Sequence, residues 1–181
     1  VDASDNGLFP YEYTKEDLRE YVLDTICHSF GATWKEEENY DENFFMMVDM
    51  IEKILRREIK VAQDKVEAIP FVEEAYQNAI QKEIIALDQY YPWGDTLKKY
   101  SDIYFVISPD KEKKQWRIST IQDKQLKNKK PFPASWGGLR GEELEKVTGI
   151  PGSIFCHRAL FLAVADSKEV ALKLAKMALE L

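Results

Sequence analysis

Leu18, Tyr21, Val22, Ile26 and Phe30 recur at intervals of three and four residues, the period of a helix with one apolar face. Thr14 followed by Asp17 resembles a capping box just upstream, so a first helix is predicted to begin there and to end at Gly31. Residues 33–43 include Glu36, Glu37 and Glu38 in a row and read as a solvated loop that starts the next helix near Asp41. Phe44, Met47, Val48, Ile51, Leu55, Ile59 and Ala62 then form one apolar stripe opposite Lys, Arg and Glu, which predicts a long amphipathic helix to about Ala68. Pro70 is expected to kink or restart it, with a further helical stretch over 71–80.

The period changes after residue 82. Segments 83–87 and 103–108 are short runs rich in Ile, Val and aromatics, and 116–121 alternates, so all three read as strands. Pro109-Asp110-Lys111 is read as the turn joining the last two into an antiparallel hairpin. Gly137, Gly138 and Gly141 flank a turn into a short helix through Val147, which Gly149 and Pro151-Gly152 end. Segments 153–156 and 160–165 read as strands and 170–181 as a closing helix. The expectation is an α+β protein, an N-terminal helical segment followed by a mixed sheet with packed helices, divided at residues 1–82 and 83–181.

With 181 residues, 45% hydrophobic, the chain can bury a core, and its formal charge of −7 argues against a generally basic nucleic-acid surface. An RNA or oligonucleotide would have to meet a local patch. The basic run Lys124, Lys127, Lys129 and Lys130 is one candidate, although lysine loops mostly serve solubility. Trp93, Trp116 and Trp136 are candidates for stacking on bases, with core packing the commoner role for at least two of them. Cys27 and Cys156 lack any paired spacing, so neither a disulfide framework nor a cysteine metal site is expected, and a reducing compartment follows. No apolar run approaches the roughly 20 residues needed to cross a bilayer, so no membrane partner is expected. The start at Val1 within a polar, acidic stretch suggests a fragment. Nucleophile elbows, Cys/His signatures and P-loops are absent, which excludes acyl-transfer and kinase chemistry of those types.

Two residue groups bear on chemistry. Asp2 and Asp5 are hard oxygen ligands three apart; by spacing alone they read as an Asx-turn or N-cap pair as readily as ligands of a divalent metal. Gly137, Gly138 and Arg140 precede a helix, where free amides and a guanidinium suit an anion, although a plain glycine turn has the same composition. His157 follows an apparent strand and is either a donor to phosphate or ribose or a structural histidine, whereas His28 reads as structural.

The block Pro-Phe-Pro-Ala-Ser-Trp-Gly-Gly-Leu-Arg-Gly-Glu-Glu-Leu at 131–144, followed by Gly-Ile-Pro-Gly-Ser-Ile-Phe-Cys-His at 149–157, resembles the C-terminal region of the melanocyte-proliferating-gene family. Asp2-Ala3-Ser4-Asp5-Asn6-Gly7 is similar to the last acidic motif of that family's DHH domain, and Tyr91-Pro92-Trp93 with Trp116-Arg117 adds to the likeness. The resemblance spans nearly the whole chain. It implies the C-terminal portion of a DHH-superfamily, metal-dependent phosphoesterase similar to 3′–5′ RNA exonucleases of nucleus and mitochondria. Two metal ions, Mn²⁺ or Mg²⁺, would clamp the attacking water and the leaving oxygen. Asp5 would be a catalytic metal ligand and Asp2 a ligand or its neighbour, while Gly137, Gly138, Arg140 and His157 would hold the substrate phosphate.

The His/Asp-rich and Asp-His-His motifs that would hold most of the metal are absent from the sequence, so the chain alone is expected to be inactive and to work with a missing N-terminal DHH domain. Residues 160–165, Leu-Phe-Leu-Ala-Val-Ala, also stand where many relatives carry a Gly-Gly pair. The long helix is expected to link the two halves or to form a homodimer contact. The competing reading is a non-catalytic α+β module that binds RNA or protein.

Overall fold

A computed structural model of the chain describes residues 22–110, 114–123 and 127–181. Asp2, Asp5, Thr14, Asp17, Leu18, Tyr21 and Lys124 lie outside the described residues. The chain forms two compact units, Val1–Val61 and Ala62–Leu181. Helices and a mixed five-stranded sheet make it an α+β protein.

In the first unit, helix α1 (Leu23–His28) gives way to turns through Gly31. Helix α2 (Tyr40–Asn78) starts where Asn39 Oδ1 accepts from the Glu42 amide at 3.2 Å and Asn39 Nδ2 donates to the Glu42 carboxylate at 2.7 Å. Ion pairs Asp49–Lys53 and Glu52–Arg56, each 2.6 Å and one turn apart, brace its polar side. Phe44, Val48, Leu55 and Ile59 of the predicted stripe are exposed.

Pro70 does not restart the helix, one of the two expectations for it, and the helix does not stop near Ala68; α2 runs on to Asn78. Pro70 and Val66, whose carbonyl loses its partner, both lie on the exposed side, where water can satisfy the freed group. The face one residue round, at Ala68 and Val72, is buried and keeps the helix docked within the second unit.

The sheet has the order β1 (Ile84–Ala86), β2 (Phe105–Asp110), β3 (Gln115–Thr120), β5 (Leu162–Ala165), β4 (Ser153–Cys156). β1 runs parallel to β2 and every other pair is antiparallel. Because side chains alternate, Ile84, Phe105, Ile107, Ile118, Ala163 and Ala165 enter one core layer, under α5 (Lys168–Glu180), α4 (Glu142–Thr148) and the turn Ala134–Trp136. Ile85 and Val106 point the other way, against Ala68, Val72, Leu97 of the short helix α3 (Gly94–Leu97), Ile103 and Ile121.

The predicted antiparallel pair of β2 and β3 is present, but Pro109 and Asp110 are strand residues, paired with Trp116 and Gln115, rather than turn residues. Proline fits there because β1 pairs only with residues 105–107 and asks no amide of position 109. The segment 160–165 is likewise strand only from Leu162 on. Leu160 closes a turn by donating its amide to the His157 carbonyl at 2.8 Å, with φ +59, a conformation that favours glycine.

Candidate functional site

The helix that covers β1 and β2 on the second face leaves the β3–β5–β4 half of that face without a helix among the described residues. Register places Ser108, Arg117 and Val164 in one row across it, with Val106, Ser119 and Leu162 in the next. Phe155 of β4 sits opposite Val164 and joins the first row.

Phe155 reaches this face because β4 is bulged. Ser153 pairs with Ala165 and Phe155 with Val164, so Ile154 is an extra residue. Ser153 and Cys156, three apart, would face opposite ways in a regular strand; the bulge buries both. Ser153 Oγ then donates to the Ile150 carbonyl at 2.7 Å and lies 3.3 Å from Thr148 Oγ1. Phe155 and His157 are turned outward together.

A continuous strip results. The Arg140 guanidinium lies 4.7 Å from the centroid of the Phe155 ring. The Phe155 and His157 rings meet edge to face at 6.1 Å, and the His157 and Phe161 rings are tilted against each other at 4.3 Å. Nδ1 of His157 accepts from the Ala159 amide at 3.0 Å, so the neutral ring carries its proton on Nε2 and can donate there. Arg140 and Phe161 are exposed, and a guanidinium over an aromatic face adds about 0.5–1 kcal/mol at such a site. Arg158 is the second cation here; its Nε passes 3.9 Å from where a Cβ on Gly138 would stand.

The glycine turn is built differently from a phosphate cradle. The Gly137 amide donates to the Ala134 carbonyl at 3.2 Å and the Gly138 amide to Cys156 at 2.9 Å. Gly141 donates to Ile154 at 2.9 Å and accepts through its carbonyl from Glu145, so residues 138–141 edge β4 as a partial extra strand. The first turn of α4 holds Glu142, Glu143 and Glu145, which take the helix dipole for themselves. Of the predicted phosphate contacts, Arg140 and His157 share the open face, while the two glycines hold the turn that presents Arg140.

Other candidates are structural. Trp136 is buried against Phe132, and Trp116 packs on the same layer with Lys168 Nζ 5.6 Å from its ring. Lys129 and Lys130 donate to the carbonyls of Tyr100 and Leu179 at 2.7 and 2.8 Å, tying their loop to the core. Cys27 and Cys156 are free thiols, and burial pushes Cys156 up to about 11. Among the described residues no group of three or more His, Cys, Asp or Glu is placed to hold a metal ion, and no helix is long and apolar enough to cross a membrane. Phe161, Ser108 and Ser119 were not singled out as site residues by sequence reasoning, and Phe155 stood only inside the 149–157 block; Arg140, His157 and Trp116-Arg117 were the signals that pointed to this face.

Residues 1–179 match the profile of a family described as MYG1_exonuc, Uncharacterised protein family (UPF0160). The chain belongs to the MYG1 family. It is 29% identical over 201 residues to MYG1 protein C27H6.8 of Caenorhabditis elegans, covering 100% of this chain and 58% of that one. Identity is 31% over 179 residues to the MYG1 protein of Chlamydia muridarum (93% and 57%), and 30% over 199 residues to the MYG1 exonuclease of Homo sapiens (99% and 52%). The chain thus spans a little over half the length of these MYG1 relatives. No solved structure matches it.

Proposed function

We propose that this chain is the substrate-gripping portion of a metal-dependent phosphoesterase of the DHH type that trims RNA from its 3′ end. The observation that carries the reading is the bulged β4, which turns Phe155 and His157 onto an open sheet face beside Arg140. Relatives bearing the name MYG1 exonuclease, in Homo sapiens and Bos taurus, support the nuclease class. An exposed guanidinium meets phosphate oxygens in a fork, and exposed rings beside it stack unpaired bases without regard to sequence. The Nε2–H of His157 adds a donor for a phosphate or ribose oxygen. Arg140 and Arg158 give the strip local positive charge on a chain of net charge −7, which supports this reading.

Asp5 and Asp2 would ligate manganese or magnesium together with motifs that the sequence does not contain, and the metal would polarise the phosphate and activate water. This chain's own part is to bind and orient: Arg140 fixes a phosphate, and Phe155 and Phe161 fix the bases. The alternative, a non-catalytic binding module, draws on the exposed apolar residues of α2.

The test uses the complete protein with its N-terminal motifs and a 3′-labelled RNA. Mn²⁺-dependent release of label that Asp5→Ala abolishes is expected. Arg140→Ala is expected to raise KM about tenfold with kcat little changed, the loss of one charge-assisted contact of about 1.4 kcal/mol. Release that needs no metal, or is indifferent to Asp5→Ala, overturns the enzyme reading.

A further inference from the structure

Next to the strip, between the sheet and the loop that precedes α3, lies a cavity of about 360 Å³ framed by Tyr90, Trp93, Ser108, Arg117, Ser119 and Phe161. We propose that it is a nucleobase subsite that takes the end nucleotide of a strand lying on the open face, a reading that rests on the RNA-gripping function above.

Its floor is unusual for a sheet interior. Ser108 is only 2% exposed and Ser119 half-buried, and both residues border the cavity. The two serines are diagonal neighbours on adjacent strands, and hydroxyls that both donate and accept suit a polar ligand that enters the cavity. Arg117 spends Nε and Nη2 on one oxygen of Asp110, at 3.0 and 2.7 Å, and that pairing holds the guanidinium flat beside the serines with N–H groups to spare. The walls are aromatic: Trp93 is partly buried, while Tyr90 at the rim is 52% exposed and Phe161 38%.

Hydroxyls that both donate and accept, a fixed N–H fork, and flat apolar walls match the edge and faces of a purine or pyrimidine. The size falls within the range of small-ligand pockets. Phe161 belongs both to this cavity and to the strip through His157, so a strand stacked along the strip would deliver its terminal base here.

The experiment titrates the complete chain with adenosine 5′-monophosphate, with ribose 5-phosphate, and with an eight-nucleotide RNA, following tryptophan fluorescence. The monophosphate is expected to quench saturably in the wild type and not in Trp93→Phe. Ser108→Val and, independently, Ser119→Ala are expected to weaken it about tenfold each, with near-ultraviolet dichroism reporting that both variants fold. Arg140→Ala is expected to weaken the RNA, which reads the gripping face separately from the cavity. No saturable effect of the monophosphate, or equal binding of ribose 5-phosphate, overturns the subsite. If the RNA still binds through Arg140 in that case, the gripping face survives; if the monophosphate saturates but the RNA does not bind, the face fails and the cavity stands.

Discussion

A Cβ built on Gly152 would stand 2.5 Å from Oδ2 of Asp166, closer than a Cβ comes to a non-bonded heavy atom. The two residues are also joined by the Asp166 amide, which donates to the Gly152 carbonyl at 3.0 Å. The Gly152 amide in turn donates to Glu145 at 2.7 Å, and its φ is +90. This knot, with Thr148 and Ser153, holds the start of β4 and hence the bulge that turns Phe155 outward. Gly152→Ala is expected to destabilise by about 1–3 kcal/mol in urea unfolding, from strain at positive φ together with the clash. Adding Asp166→Ala should recover only the clash, leaving the double variant still less stable than Asp166→Ala alone.

Thr120 carries a hydroxyl that is buried without a hydrogen-bond partner among the described residues. Thr120→Val removes the orphan and keeps the shape, so a gain of about 1 kcal/mol is expected in the same assay. A loss of that size would mean that the hydroxyl is solvated by a bound water.

Glu73 accepts hydrogen bonds from Lys99 and from Tyr100, and these two bonds, that from Lys99 first, hold its carboxyl below the usual range. A carboxyl depressed in the folded state contributes stability above its unfolded value, near 4.3, and the contribution is lost as pH falls through the folded value. Wild-type stability is therefore expected to fall more steeply than that of Glu73→Gln on acidification below about pH 4.5, with the two curves parallel at pH 6–8. Parallel curves throughout the acid range would contradict the pairing.

Cys156 is buried with its thiol pushed up to about 11, whereas Cys27 is partly exposed. Iodoacetamide at pH 8 should modify Cys27 in the folded chain and reach Cys156 only after denaturation, as peptide mass mapping would record.

Much of the fold is written in local pattern. Ile84 and Ile85, or Phe105 and Val106, reveal a strand with two buried faces because each residue carries its own alternation, and residues 153–156 are a strand as read. The choice between continuation and restart at Pro70 was not legible, since it depends on Ala68 and Val72 being gripped by distant residues. The candidate site was legible at Arg140 and His157 but not at its partners. That Phe155 faces outward follows from a one-residue bulge against β5, and that Ser108 stands beside Arg117 follows from register, neither of which is a property of the local sequence. The Gly137-Gly138 turn was visible as a turn, but its amides belong to Ala134 and Cys156, an assignment only tertiary pairing makes.

The most direct test of the central claim is the affinity of the 181-residue chain for a fluorescein-labelled single-stranded RNA, measured by anisotropy at two salt concentrations. Arg140→Ala is expected to weaken binding about tenfold and to reduce the salt slope by about 0.7, the share of one phosphate contact on a single strand. Phe155→Ala is expected to weaken it about tenfold with the slope unchanged, the mark of a lost stack. Wild-type affinity in both variants, with folding intact, would contradict the assignment of this face to RNA.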